Sequence, residues 1–558
     1  MRKRNHDALG HGELLERPIK RHRPLKEDRL SQLSDELILR TLSFLTLSDL
    51  VLCERLSRRL KVLAADGQIW KALYYDRFVR PRASRIPGIR MNGEFGSALH
   101  YSSRVSRWLD DEVLIRNGSM TNWKKQYKLR HNWSRGSARV KETEVAERPS
   151  TPPLLVRLQD DVIVIVDQQH GLRAWSLRKE HRLIGSQVFI NTDKDASAAA
   201  PTSLAIDTNT INDLYMNVAV GFANGKFSIY TLFKHKAIFT HRYTHPASTA
   251  GEVSGLAYAS PFLLTVNPEP RLSLYNLSSP ISNYEALEPP HLLTSMRSQT
   301  VYAPLSLTLR SSASIIVASI AFAMQSYIPK WTVGIQELRL SSSGSVLSSR
   351  VAYAAKPLSR PLNSAHEEML NILPLPSSRP ASLSYNHPYL LTAHPDNTLT
   401  LYMVTSTEAG LYVSAGTVLW GHTSSISSAH VGDRGKAVSV STRGNELRVW
   451  ELEGRGGAAG RGRRVPGAEQ RSVRVISEVN DRGPGSTQGN VQRQLSEYVD
   501  GQGKAREVKA RSKISAARHG EHDVNETTKG WVAFDEEKVV LLREKMSGKQ
   551  AVVVYDFT

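Results

Sequence analysis

The segment from residue 30 to residue 78 carries its apolar residues at helical spacing. Asp35 and Glu36 add negative charge where the first turn of a helix favours it. The pattern predicts a small all-α domain of short helices. A domain of this size is barely stable alone, and a broad apolar face favours a partner that covers it. The apolar residues form two groups: Leu33, Leu37, Ile38, Leu42 and Leu45, then Leu50, Leu56, Leu60 and Leu63.

From about residue 154 the apolar period changes to two, which is typical of strands. One unit recurs: an apolar strand, a turn rich in Gly, Asn, Asp or Pro, and a strand that ends in an aromatic residue. Recurring strand hairpins of this kind predict an all-β propeller over residues 151–558. Counting five clear copies and two degenerate ones gives seven blades. The clear copies end near residues 177, 232, 277, 404 and 452, and the degenerate ones near 340 and at the C-terminus.

Residues 79–150 lie between these two patterns and are predicted to be a helical connector. Trp123, Tyr127 and Arg130 fall on one face of a helix that continues to Trp133. We expect this face to pack against the strand repeats downstream of it.

Two segments lack apolar periodicity and are predicted to be disordered. One is the basic tail at residues 1–29. The other, residues 454–525, is rich in Gly, Arg, Ser, Gln and Lys, and we interpret it as an insertion between the last two blades.

The composition narrows the cellular compartment in which this protein is expected. Cys53 is the one cysteine, so no disulfide forms within the chain and no cysteine-based zinc site is available, which favours a reducing compartment. No apolar run reaches about 18 residues, and the N-terminus lacks the apolar core of a secretory signal, so we expect no membrane segment. The predicted location is the nucleus, the cytoplasm or both.

The formal net charge of +20 leaves two interpretations open. It can reflect a solvated surface with basic tails, or attraction to an acidic partner such as nucleic acid, a phosphopeptide or an acidic protein. The basic cluster around Lys20, Arg21 and Arg23 resembles a nuclear import signal.

Residues Leu33 to Leu73 resemble the F-box family. The match runs through Leu33-Ser34-Asp35-Glu36-Leu37-Ile38, Phe44-Leu45, Ser48-Asp49-Leu50 and Ala64-Ala65-Asp66 to Ile69-Trp70. Three positions depart from the family: Ser34 stands for Pro, Ser57 for Cys and Leu60 for Trp.

The C-terminal repeats resemble WD repeats, most closely at Gly421-His422 and Val449-Trp450. Glu451 stands where the family has Asp. Family propellers close by pairing a strand from one end of the ring with the other end. We expect Leu154–Leu158 to be this strand, beside Val552–Tyr555.

The order of F-box, connector and propeller resembles that of F-box/WD-repeat receptors. It implies a non-catalytic substrate-recognition subunit of an SCF-type Cullin–RING ubiquitin ligase, with no cofactor and no metal. The F-box would bind the Skp-type adaptor and, through it, cullin and RING. The propeller would bind a protein substrate for ubiquitination. The resemblance gives as adaptor-binding candidates Leu33, Leu37, Ile38, Leu42, Leu45, Leu50 and Leu56.

Arg443 is the candidate substrate-binding residue, because family receptors hold phosphorylated segments with arginines at the channel mouth and guanidinium pairs bidentately with phosphate. The other interpretation of Arg443 is an exposed turn residue. The corresponding positions in other copies are Gln168, Ala223, Pro268 and Pro395.

A second function stays open: a scaffold in a nuclear or RNA-associated complex, without ligase activity. The basic charge and the Arg/Gly-rich segment 454–525 favour it, because such segments bind RNA electrostatically.

Overall fold

The computed structural model describes residues 32–79, 116, 117 and 120–558, apart from short gaps at turns and longer ones at 190–198, 278–288, 355–377, 453–471 and 478–529. The described residues form two compact units. The helical unit contains residues 32–77, 116, 117 and 120–124, and the propeller unit contains Phe78, Val79 and the described residues from Lys125 onward. The predicted tail 1–29 lies outside the described residues. Within the described ranges, no helix has the length and apolarity needed to cross a bilayer.

The helical unit follows the predicted pattern of short helices. Side chains cap three of them at the N-terminus: Thr46 accepts the backbone N–H of Asp49, Ser57 that of Leu60, and Asp66 that of Gln68. Ser57, a departure from the F-box pattern, therefore has a structural role here. The elements are α1 Asp35–Leu42, α2 Leu47–Cys53, α3 Arg58–Ala64, α4 Gly67–Tyr74, and the hairpin of β1 Arg116–Asn117 and β2 Met120–Thr121. A π-helical turn, Tyr75–Val79, follows α4, and its last two residues belong to the propeller unit.

The propeller unit has seven blades, as the repeats predict. Blade one has β4 Leu155–Gln159, β5 Val162–Asp167, β6 Gly171–Ser176 and β7 Leu183–Gln187. Blade two has β8 Pro201–Ile206, β9 Tyr215–Phe222, β10 Phe227–Phe233 and β11 Ile238–His245. Blade three has β12 Gly255–Ala259, β13 Phe262–Val266, β14 Arg271–Asn276 and β15 His291–Arg297. Blade four has β16 Tyr302–Ser311, β17 Ile315–Gln325, β18 Trp331–Ser341 and β19 Val346–Tyr353.

Blades five and six complete the part of the ring that follows chain order. Blade five has β20 Ser382–Asn386, β21 Tyr389–Ala393, β22 Leu399–Ser406, β23 Leu411–Val413 and β24 Thr417–Leu419. Blade six has β25 Ile426–Val431, β26 Lys436–Ser441, β27 Leu447–Glu451 and β28 Ser472–Arg474. The strands within each blade pair antiparallel.

Blade seven closes the ring. It joins β3 Ser137–Ala146 to the C-terminal strands β30 Val532–Phe534, β31 Lys538–Glu544 and β32 Gln550–Asp556, and β29 Ile476–Ser477 pairs with β3 in parallel. The first strand of each described blade contacts the first strand of the next, and β30 contacts β4. All seven predicted hairpins are the second and third strands of a blade.

Two sequence predictions about this ring were wrong. The closing strand is β3, whose Thr143 pairs with Val552, whereas Leu155–Gln159 is the first strand of blade one and pairs with β5. The propeller therefore begins upstream of residue 151. Part of the predicted insertion 454–525 is also structured, because β28 and β29 lie within it and Val475 between them is buried. The rest of that insertion is outside the described residues.

The core of the propeller lies between neighbouring blades. The second and third strands of a blade are apolar on both faces, because each face packs against another blade. Val164 and Val166 of blade one, for example, pack with Leu204 and Val218 of blade two. This two-sided burial explains why these hairpins give the strongest sequence signal.

The predicted connector helix is present as α5, Trp123–Arg135. Its residues from Lys125 onward belong to the propeller unit. Trp133 stacks on Phe557 with ring centroids 4.1 Å apart and donates its indole N–H to the carbonyl of Glu536 at 2.9 Å. The helix therefore packs against the closing blade, chiefly through Leu129 and Trp133.

Candidate functional site

The adaptor-binding candidates divide into an interior set and a surface set. Ile38, Leu42 and Leu50 are buried, and Leu50 is 0% exposed, so these three belong to the core of the helical unit. Leu37 is 55% exposed and Leu56 is 71% exposed. Leu33 is also exposed, and Leu45 is half-buried. The sequence could not make this division, and the predicted role of these residues in adaptor binding stays a prediction.

Further exposed apolar residues in this unit were missed from the sequence: Phe44, Val51, Leu52 and Val62. Phe44 is the most exposed of the four, and the guanidinium carbon of Arg40 lies 4.7 Å from its ring centroid. The available signal was a pair of adjacent apolar residues in one short helix, such as Val51 and Leu52, which cannot both face the same small core. We call the exposed Leu33, Leu37, Phe44, Val51, Leu52, Leu56 and Val62 the exposed apolar set.

Polar contacts hold the helices that carry this set. Arg59 on α3 donates to the Asp35 carboxylate at 2.6 Å and to the carbonyl of Leu33 at 2.6 Å. The indole N–H of Trp70 donates to the carbonyl of Ala64 at 2.7 Å inside the core. These bonds fix the start of α1 to α3, so the exposed leucines project from a structured surface.

In blade six, the residues that resemble a WD repeat form a polar network. His422 Nε2 lies 2.5 Å from Ser439 Oγ, to which the indole N–H of Trp450 donates at 2.8 Å. Glu446 accepts from the backbone N–H and the hydroxyl of Thr423, at 3.0 and 2.9 Å. The network joins the segment before β25 to β26 and β27.

Burial sets the protonation of this network. Burial lowers the pKa of His422 to about 4, although the nearby Glu446 opposes this shift. Burial would raise the pKa of Glu446, but hydrogen bonds from Thr423 and Arg448 outweigh it and lower the value to about 2. Near neutral pH the pair is therefore a neutral imidazole beside a carboxylate. It serves to tie strands together.

The predicted substrate-binding Arg443 lies outside the described residues, as do the predicted import residues Lys20, Arg21 and Arg23. The structure therefore brings no arginine cluster together at the turns between second and third strands, as far as these turns are described. The described positions that correspond to Arg443 in other blades are Gln168, Ala223, Pro268 and Pro395, none of which is a cation.

The closed seven-bladed ring with its buried His–Ser–Trp contacts defines a WD-like β-propeller, a class that typically serves as a non-catalytic scaffold for interactions. Within it, the chain belongs to the family of the F-box protein pof12 beta-propeller, whose model matches residues 138–558. The match spans well over half of the chain and includes the closing strand.

Solved propellers are similar to this chain at low identity. U3-55K is 12% identical, with 54% of this chain and 81% of that chain covered and a TM-score of 0.32. The Cps50 (Swd1) propeller domain of Myceliophteria thermophila is 12% identical, with coverage of 56% and 86% and a TM-score of 0.33. The Doa1 propeller domain is 11% identical, with coverage of 56% and 81% and a TM-score of 0.29. A search of the curated proteins finds no match.

Proposed function

We propose that this chain is the substrate-recognition subunit of an SCF-type ubiquitin ligase. In this proposal the helical unit is an F-box that binds a Skp-type adaptor, and the propeller binds a protein destined for ubiquitination. The observation that carries it is the exposed apolar set on a helical unit whose core is already closed by Ile38, Leu42 and Leu50. The description of the propeller family as that of an F-box protein supports it.

The energetic argument concerns the cost of leaving apolar side chains in water. Fully burying a leucine side chain is worth about 1.5–3 kcal/mol. Leu37, Leu56 and Phe44 are each more than half exposed, so a partner that covers all three gains about twice this amount before the costs of association. A Leu-rich helical unit followed by a propeller suits a chain that binds the adaptor with its helical unit and the substrate protein with its propeller.

The test is capture of purified Skp-type adaptor by the full chain. The variant L37D/L56D places two carboxylates on the exposed apolar set, and the adaptor affinity is expected to fall about 100-fold or more. The matched control is L292D/L347D, which makes the same change at two exposed leucines of the propeller and is expected to bind normally. If the unaltered chain does not bind the adaptor, or if both double variants bind equally, the proposal fails.

The alternative function, a scaffold in a nuclear or RNA-associated complex, is favoured by the net charge of +20. It requires affinity for RNA that falls steeply with salt. A deletion of residues 454–471, which leaves β28 intact, is expected to abolish such binding. A chain that binds no RNA at low salt, with or without the deletion, excludes this alternative.

A further inference from the structure

A cavity of about 260 Å³ opens between blade four and blade five. We name it the blade four–five pocket. It lies at the end of the strands where the first and second strands of each blade connect, since its wall includes Arg310 and Ser311 at the end of β16 and His387 in the turn after β20. This is the opposite end from the turns in which the sequence places Arg443.

A buried carboxylate organises the wall of the pocket. Glu337 on β18 is 1% exposed, and its Oε1 accepts from Arg350 at 2.6 Å, Ser406 at 2.9 Å and Arg339 at 3.1 Å. Burial would raise the pKa of Glu337, but these hydrogen bonds lower it, so the carboxylate stays charged. Because Ser406 belongs to blade five, the cluster also fixes the two blades together at this wall.

The three arginines at this pocket differ in how many hydrogen bonds their guanidinium groups make. The Arg350 guanidinium donates hydrogen bonds to Glu337, to Ser406 and to the carbonyl of Thr407. Arg339 uses Nε and Nη2 on Glu337 and Ser406, which leaves Nη1 without an acceptor among the described residues. Arg310 is half-buried and has neither a hydrogen bond nor an ion pair with any residue in the described part of the chain.

The charges around the pocket do not balance. Arg310 and Arg339 line the pocket together with the single carboxylate of Glu337, which is already paired with Arg350 as well as Arg339. A half-buried guanidinium without a direct ion-pair partner is costly, and carboxylates and phosphates are the oxyanions that guanidiniums bind best. The Ser311 hydroxyl adds a donor, because its oxygen accepts from Asn209 at 2.7 Å while its own proton has no described acceptor.

We propose that the blade four–five pocket binds an acidic side chain, carboxylate or phosphate, of a peptide segment from a protein partner. Arg310 and Arg339 hold the oxyanion, and the apolar Ile315 and Val317 of the same wall pack against the stem of that side chain. The mixed wall and the volume of about 260 Å³ favour one side chain over a nucleic acid backbone, which needs an extended basic groove. This proposal rests on the proposed function in one respect: the protein that carries the acidic side chain is taken to be the substrate of the ligase.

The test uses the immobilised full chain and three pools of ten-residue peptides, random except for a central phosphoserine, glutamate or serine. Mass spectrometry measures how much of each pool is retained. We expect one or both acidic pools to be retained above the serine pool, and which of them is retained tells phosphate from carboxylate. R310Q is expected to weaken this retention about tenfold or more, since it removes a charge-assisted bond.

The matched control is R157Q. Arg157 pairs with Val164 of β5 as Arg310 pairs with Val317 of β17, each opposite the third residue of the second strand, but Arg157 does not line the pocket. R157Q is expected to retain the acidic pools. If R310Q and R157Q lose retention of the acidic pools equally, the effect is one of general positive charge and the proposed binding role of the pocket is wrong. Equal retention of all three pools by the unaltered chain would also contradict that role.

R310K is a second variant for the case that R310Q does not fold. It keeps the positive charge but loses the bidentate guanidinium, so it should bind the acidic pools severalfold more weakly than the unaltered chain does. If R310Q is unfolded and R310K binds like the unaltered chain, the assignment is wrong. Adaptor capture is measured on the same preparations. If the unaltered chain captures the adaptor but does not prefer the acidic pools, only the proposed role of the pocket is contradicted. If it prefers the acidic pools but does not capture the adaptor, only the proposed ligase role is contradicted.

Discussion

Acidification is expected to destabilise blade six through His422. The imidazole is buried between Ser439 and Glu446, and burial lowers its pKa from 6.5 to about 4. The unfolded chain protonates this group at its ordinary pKa, while the folded chain resists protonation until about pH 4. The stability that the neutral imidazole contributes is therefore complete above pH 6.5 and is lost as the pH falls toward 4.

The size of the effect follows from the two pKa values. At pH 5 the unfolded state is favoured by about 2 kcal/mol through this histidine, and at pH 4 by about 3 kcal/mol. His394 in blade five is also buried, with a pKa of about 4, and adds a similar amount. Glu446 contributes little between pH 7 and pH 5, because its pKa is lowered to about 2 and its stabilisation is lost only below its ordinary value of 4.5.

Urea unfolding at pH 7, 6 and 5, followed by tryptophan fluorescence, measures this dependence. H422Q keeps a neutral polar side chain, so its free energy of unfolding should fall by about 2 kcal/mol less than that of the unaltered chain between pH 7 and pH 5. H291Q is the control, since it removes an exposed imidazole outside the network. If H422Q and the unaltered chain show the same pH dependence, His422 is not the group that titrates.

Three further substitutions test the packing. W133A removes the stack on Phe557 and should lower the free energy of unfolding by about 3–5 kcal/mol in urea titrations; a loss below 1 kcal/mol would contradict this. S57A removes the cap on the N–H of Leu60 and should cost about 1 kcal/mol, measured by hydrogen exchange in α3; unchanged exchange would contradict the cap. G136A should lower the thermal midpoint, because Gly136 has a φ of 70° and a Cβ there would lie 2.4 Å from a backbone carbonyl oxygen; an unchanged midpoint would contradict that clash.

The seven hairpins could be predicted from the sequence because their strands are buried on both faces. The strand β5, Val162–Asp167, is a continuous buried run, and such runs stand out between turns. The closing strand β3 has no such signal, because most of its residues are exposed or half-buried and charged residues occupy its middle. Its place is decided by pairing with β32, which is more than 400 positions away in sequence.

The helical unit shows a different limit. Leu37 and Ile38 are adjacent and both apolar, yet Leu37 is exposed and Ile38 is buried. In a helix of eight residues, either one could face the core, and the choice depends on how α1 meets α3. The Arg59–Asp35 contact, which joins α3 to the start of α1, connects residues 24 positions apart, and an exposed charge pair leaves no periodic signal in a sequence.

Only blade six resembles a WD repeat closely, yet other blades also contain buried polar ties. In blade two, Thr231 donates to Asn217 at 2.9 Å, and Asn217 donates to the buried Asp207 at 3.4 Å. In blade five, the Thr392 hydroxyl lies 2.9 Å from His394 Nε2. The Thr392 hydroxyl also donates to the carbonyl of Thr400 on the next strand at 3.4 Å. These ties use different side chains in different blades, because a buried polar group needs a satisfied partner and not a particular residue type. Blades two and five therefore keep polar cross-strand bonds although they lack the repeat motif of blade six.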